Sequence, residues 1–164
     1  MFSSLAKLFE SKLADRSDAP ASREDALRVA TAALLIEVAR ADFEESGREL
    51  KTVEALLRER FSLRDDEARD LIEAAQSASD QSASLYRFTH AVHEHLSDAE
   101  KQHVIAMLWR VALADARLDK YEDALMHKIA ELIYVSHGTL MAIKSRVKEE
   151  LQAAQKASGA ASAN

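Results

Sequence analysis

The 164-residue chain has no cysteine, one proline (Pro20) and three glycines. Without thiols, disulfide frameworks, thiolate zinc sites, iron–sulfur clusters and cysteine nucleophiles are excluded. Average chains carry about 7% Gly and 5% Pro, so this scarcity of breakers excludes collagen-like repeats, glycine-rich linkers and turn-rich β folds. Gly47, Gly138 and Gly159 stand far apart, and no phosphate-cradling loop is present. No run reaches the roughly 18 apolar residues of a spanning helix. The longest, Val104 to Ala114, is interrupted by Arg110. The N-terminus lacks a basic stretch ahead of a continuous apolar run, so no secretory signal is expected.

What remains is helix-forming. Hydrophobic residues make up 48% of the chain, and 31 residues are alanine, the best helix former. A chain of this size buries roughly 70% of its unfolded surface, so a single all-α domain is expected. Lys and Arg number 22 against 28 Asp and Glu, a net charge of −6. An acidic surface is a poor match for phosphate backbones, so no nucleic acid partner is expected, and cations or basic protein surfaces are. A cysteine-free, signal-free chain fits the cytoplasm.

The hydrophobic pattern predicts about seven helices in one compact bundle, spanning residues 22–155. Residues 1–21 read as an amphipathic helix and connector, with Phe2, Leu5, Leu8, Phe9 and Leu13 on one face. That face is expected to dock on the bundle; the alternative is peripheral membrane contact through residues 2–13. Ser22 and Asp25 resemble a capping box opening the first bundle helix, which ends near Asp42. Ser62 is expected to cap a third helix over 63–79, with 76–84 a loop. Ser97 and Glu100 form an S-x-x-E capping box, and Ser136 caps a last helix over 137–155. Residues 156–164 read as a disordered tail.

Displacing the chain by 73 residues superimposes its two most apolar helices. Ala33, Leu35, Val38 and Ala39 meet Ala106, Leu108, Val111 and Ala112. The segments that follow, ARADFEESGRE and ALADARLDKYE, share the form A-x-A-D-x6-E. An Asp in the last turn of a helix opposes the dipole at a cost of roughly 0.3–1 kcal/mol, so its repetition needs a cause. One is a structural clasp: Asp42 and Asp115 accept loop N–H groups, while Ser46–Glu49 and Asp119–Glu122 form capping boxes. The other is cation binding, with Asp42, Glu45 and Glu49 around one loop and Asp115, Asp119 and Glu122 around the other. All-oxygen donors suit Ca²⁺ or Mg²⁺ better than Zn²⁺. The spacing is not that of an EF-hand.

These twin segments, each on a long apolar helix, together with ERFSL closing the helix after the first, resemble the TerB-like family of bacterial tellurite-resistance proteins. The same domain forms the N-terminal region of some membrane-anchored J-domain co-chaperones. The resemblance covers about residues 25–150. It implies an all-helical fold of two pseudo-symmetric halves, a stress-response role, and acidic positions gathered on one metal-binding surface. Asp42 and Glu49, then Asp115 and Glu122, match the family's acidic positions. Phe43 and Ala116 stand where the family has glycine.

Other constellations are weaker. His90, His93, His95, His103, His127 and His137 include no H-E-x-x-H pair, and read as surface or half-buried helix residues. Only Glu100–His103 matches the E-x-x-H of di-iron bundles, and Glu100 is already accounted for as a cap. No nucleophile–base pair is visible, so no enzymatic activity is expected. An enzyme reading would need a substrate-sized pocket lined by His93, His95 or His103. Trp109 and Tyr134 are expected in the core, and Lys144, Arg146 and Lys148 form a solvated basic cluster. The expected function is an acidic, partner-binding stress-response module that holds a divalent cation. A metal-independent interaction scaffold, similar to the co-chaperone region, is the alternative.

Overall fold

The computed structural model describes residues 20–41, 47–81, 85–114 and 118–162. Their helices are α1 (Pro20–Ala41), α2 (Gly47–Phe61), α3 (Asp65–Gln81), α4 (Tyr86–His95), α5 (Asp98–Ala112), α6 (Lys120–Leu132) and α7 (His137–Ser162). No strand occurs among the described residues. The all-α expectation is met. The N-terminal segment 2–13 lies outside the described residues.

The two most apolar runs become the centre of the molecule. In α1, Val29 to Ile36 are buried without a break, and in α5 so are Val104 to Trp109. A helix apolar around its whole circumference must be surrounded. Accordingly α1 packs against α2, α3, α4, α5 and α6, while α5 packs against α1, α2, α6 and α7. Each repeat-matched pair (Ala33/Ala106, Leu35/Leu108, Val38/Val111, Ala39/Ala112) is buried in both halves.

The repeat extends beyond two helices. Contacts α1·α2, α1·α3 and α2·α3 in the first half have counterparts α5·α6, α5·α7 and α6·α7 in the second. The crossed contacts α1·α6 and α2·α5 also exchange when the halves are exchanged. The unit is therefore a three-helix hairpin, present twice. Helix α4 stands outside it and packs on α1 and α6.

Helix boundaries follow identifiable chemistry. Pro20 opens α1, since its missing N–H and fixed φ suit the first helical position. At the end of α2, Ser62 takes φ 53° and the Leu63 N–H donates to the Arg58 carbonyl at 3.0 Å, a Schellman motif. Ser62 therefore ends α2 and does not cap α3. The Glu67 carboxylate, accepting from the Arg64 N–H at 2.8 Å, opens α3. Tyr134 repeats the geometry after α6, with φ 61° and the Val135 N–H donating to the Ala130 carbonyl at 2.8 Å. The Ser97–Glu100 box is formed in full. Ser136 Oγ accepts from the Thr139 N–H at 3.2 Å at the start of α7.

Ser22, expected to cap α1, lies inside that helix, which begins at Pro20, and two further ends differ from expectation. Residues 76–81, read as loop, are the last turns of α3. Ala78 and Ser79 are buried, Ser79 donates to the Glu37 carboxylate, and Asp80 pairs with Arg40 at 2.9 Å. Tertiary ties to α1 thus override the weak local propensity of QSASDQ. Helix α7 runs to Ser162, beyond residue 155, through an alanine-rich stretch exposed on all sides.

Candidate acidic site

Both acidic segments follow central helices whose burial fixes where each chain leaves the core. Helix α1 ends at Ala41 and α5 at Ala112, with Arg40 and Arg110 in their last turns to offset the negative helix end. Asp42, Glu45 and Asp115 lie outside the described residues, as does the side chain of Glu49 in the first turn of α2. The second segment is described from Leu118 onward.

Asp119 is the N-cap of α6, and its Oδ1 accepts from the Tyr121 N–H at 2.7 Å. Glu122, one turn into the helix, has 0% of its surface exposed. Carboxylates in the first turn are favoured by the positive end of the helix dipole. The two side chains thus differ in role: Asp119 works at the rim, and Glu122 is drawn into the protein. Withdrawing a carboxylate from water costs several kcal/mol before compensation. A buried glutamate repeated from Glu49 is therefore the least ordinary feature of the segment.

As potential ligands, Asp119 and Glu122 supply hard oxygen donors in one turn of helix, which fits a Ca²⁺- or Mg²⁺-type ion. Among the described residues, no three of His, Asp and Glu gather in a metal-holding group. A full coordination set therefore draws on Asp115 or on the first segment.

Sequence reasoning missed the partners of the next acid. Asp123 pairs with Lys144 at 3.1 Å and with His127 at 3.6 Å, tying α6 to α7. Lys144 also lies 4.8 Å from the centre of the Trp109 ring, whose indole N–H donates to the Leu140 carbonyl at 3.2 Å. Lys144 is thus a structural cation and not a member of a solvated cluster. The signal was available: its four-carbon stem falls one turn from buried Leu140, on the α7 face that meets α5.

The expectation of a core position holds for Trp109 and fails for Tyr134. Tyr134 is 78% exposed because it occupies the left-handed residue after α6, outside the helical stripe. Its ring lies over His93, centres 4.5 Å apart. His93 Nδ1 in turn meets the ammonium of buried Lys101 at 2.9 Å. All six histidines are exposed or half-buried. His127 and His137 stack at 5.2 Å.

A groove of about 230 Å³ opens between α2 and α5, lined by Leu56, Glu59, Arg60, His103, Met107 and Arg110. It falls below the roughly 300–1,000 Å³ of small-molecule pockets. Arg110 is paired with Glu150 at 3.1 Å. The groove includes His103 but presents no nucleophile for it to activate.

A family model described as tellurite resistance protein TerB matches residues 28–145, well over half of the chain. No curated protein and no solved structure matches it. The matched span opens within α1 and closes within α7, taking in both acidic segments.

Proposed function

The chain belongs to the TerB family of tellurite resistance proteins, and from that premise we propose that it is a non-enzymatic stress-response protein of the bacterial cytoplasm. Its acidic segments hold a divalent cation and present the resulting surface to protein partners. The observation that carries this reading is the wholly buried carboxylate of Glu122, in the segment that repeats Asp42–Glu49 and beside Asp119. The donors would be Asp42, Glu45 and Glu49 from one segment, and Asp115, Asp119 and Glu122 from the other. Asp42 directly follows the end of α1, and Asp115 comes three residues after the end of α5, where the negative helix end favours a cation. With their charges neutralised the carboxylates no longer repel one another. Both segments then stiffen, and the surface offered to a partner changes.

Thermal unfolding of the full chain in EDTA, then with millimolar Mg²⁺, Ca²⁺, Zn²⁺ or Mn²⁺, tests the reading. A ligand that binds only the folded state stabilises it by mass action, by about 2.7 kcal/mol at a hundredfold excess over Kd, and so raises the midpoint. Ca²⁺ or Mg²⁺ is expected to raise it. Asp42→Asn with Asp115→Asn is expected to abolish the shift while helicity stays unchanged. If no ion moves the midpoint, the acidic surface works without metal, as a scaffold for basic partners.

A further inference from the structure

The repeat supplies an internal control for one surface. Exchanging the halves turns the α1/α6 junction into the α5/α2 junction, which borders the groove. At the repeat offset, Leu56 and Met107 of the groove match Ile129 and Leu34, and all four are buried. The other lining residues show no such likeness. His103, Arg60 and Arg110 stand where the α1/α6 side has Ala30, Ile133 and Glu37. There Ala30 and Ile133 are buried, and α4 packs on both helices. The fold can therefore build this junction with an apolar wall, and the cations of the α2/α5 groove are not needed to form it.

We propose that the α2/α5 groove binds a phosphate-type oxyanion, as the free ion or as the head of a small phosphate monoester, between Arg60, His103 and Arg110. In a chain of net charge −6, this groove gathers two guanidinium groups and an imidazole against one lining carboxylate, Glu59. Arg60 is half-buried, lies 5.5 Å from the centre of the Phe61 ring, and makes no ion pair among the described residues. Glu100, whose carboxyl responds to that charge, is held in the Ser97 cap. The Arg60 fork is thus open to the parallel, bidentate hydrogen bonds that a guanidinium makes with an oxyanion.

Arg110 is steadied by a residue that does not line the groove. Its Nη2 donates to Glu150 Oε2 at 3.1 Å, and the rest of its fork has no partner among the described residues. His103 is exposed and has no partner among them either, so its ring N–H can serve a third oxygen. Buried Leu56 and Met107 add an apolar wall, beside which charge-assisted bonds are screened less than in open water. At about 230 Å³ the groove has room for one oxyanion group and its first atoms, not for a drug-sized molecule. A nucleic-acid backbone, which needs a row of cations, is not its ligand. This inference does not depend on the cation reading.

The test uses the full chain in EDTA at constant ionic strength, with chloride as the balancing anion. Phosphate, sulfate and phenyl phosphate are titrated in turn and followed by amide NMR shifts. Phosphate and sulfate are expected to move the amides of residues 56–61 and 103–110 along saturating curves. Arg60→Gln, which breaks no ion pair among the described residues, is expected to weaken binding at least about tenfold at unchanged helicity. Arg60→Lys keeps the charge but loses the fork, and should fall between the two. Glu59→Gln removes the one lining carboxylate and is expected to tighten binding about two- to fivefold. Arg69→Gln, at an exposed arginine of α3 outside the groove, serves as the control and should change nothing. Saturation by phenyl phosphate as well supports a monoester head group, and saturation by the inorganic anions alone supports the free ion. Shifts that never saturate overturn the proposal and leave only general screening of surface charge. So does an affinity that Arg60→Gln leaves unchanged, or that Arg60→Gln and Arg69→Gln weaken equally.

Discussion

Ser62 and Tyr134 hold left-handed backbone without being glycine, at φ 53° and 61°. For an L-residue that conformation costs roughly 1–2 kcal/mol. The Schellman bonds and the hydrophobic residues after them, Leu63 and Val135, hold both in place. Ser62→Gly is therefore expected to stabilise the protein by about 0.5–1 kcal/mol in urea denaturation, since glycine's greater unfolded-state entropy takes back part of the gain. Tyr134→Gly should gain less or lose, because it also removes the ring over His93. Equal gains at the two sites would mean that this contact is without weight. Trp109 carries a different prediction. Trp109→Phe removes the indole N–H that donates to Leu140 and weakens the Lys144 contact. A cost of about 2 kcal/mol follows from a lost buried hydrogen bond and a small cavity. Circular dichroism must follow it, because the only fluorescent indole is gone.

Among the elements, α5 has the most complete local specification: a full capping box at one end and a wholly apolar circumference behind it. Ser97→Ala should cost about 1 kcal/mol. The box also has a pH signature. The Ser97 backbone N–H, and then its hydroxyl, hold the Glu100 carboxyl below the ordinary glutamate range, with a smaller pull from Arg60. A folded-state value below the unfolded one gives stability that is present above the unfolded value and lost as pH falls through the folded one. Glu100→Gln is thus expected to flatten the midpoint-versus-pH curve on the acid side only, in a series from about pH 6 to about pH 3. An unchanged slope would show that the box does not titrate.

This box was legible because both halves of the signal sit three residues apart. So were α1 and α5, whose periodicity needs no partner to be recognised. What stayed hidden was non-local. QSASDQ looks like loop until Glu37 and Arg40 of α1 are brought against it. Lys144 looks solvated until α7 lies on α5. Of the six proposed ligands, Asp119 read correctly as an N-cap, although its oxygen accepts from the Tyr121 N–H and not from that of Glu122 as a capping box requires. The burial of Glu122 had no local sign, since the same residue type three positions after an N-cap is exposed at Glu100.

At the scale of the whole molecule, two three-helix hairpins are joined by more than the chain between them. The central helices touch, and each also packs on the second helix of the opposite half. Neither half can lose its central helix without uncovering the other, so the described helices should unfold as one cooperative unit. The single tryptophan lies in α5 and is wholly buried, so its fluorescence reports the second half alone. Far-ultraviolet circular dichroism reports every helix. Leu35→Ala in α1 removes a buried leucine from the first half, at an expected cost of about 2–5 kcal/mol. If the halves are coupled, Trp109 fluorescence and circular dichroism shift by the same amount, and their transitions are expected to coincide in the variant as in the unaltered chain. Leu108→Ala, at the matching position of α5, should give a shift of similar size by both probes. A Leu35→Ala variant whose fluorescence midpoint stays in place while its ellipticity melts early would separate the hairpins into independent domains.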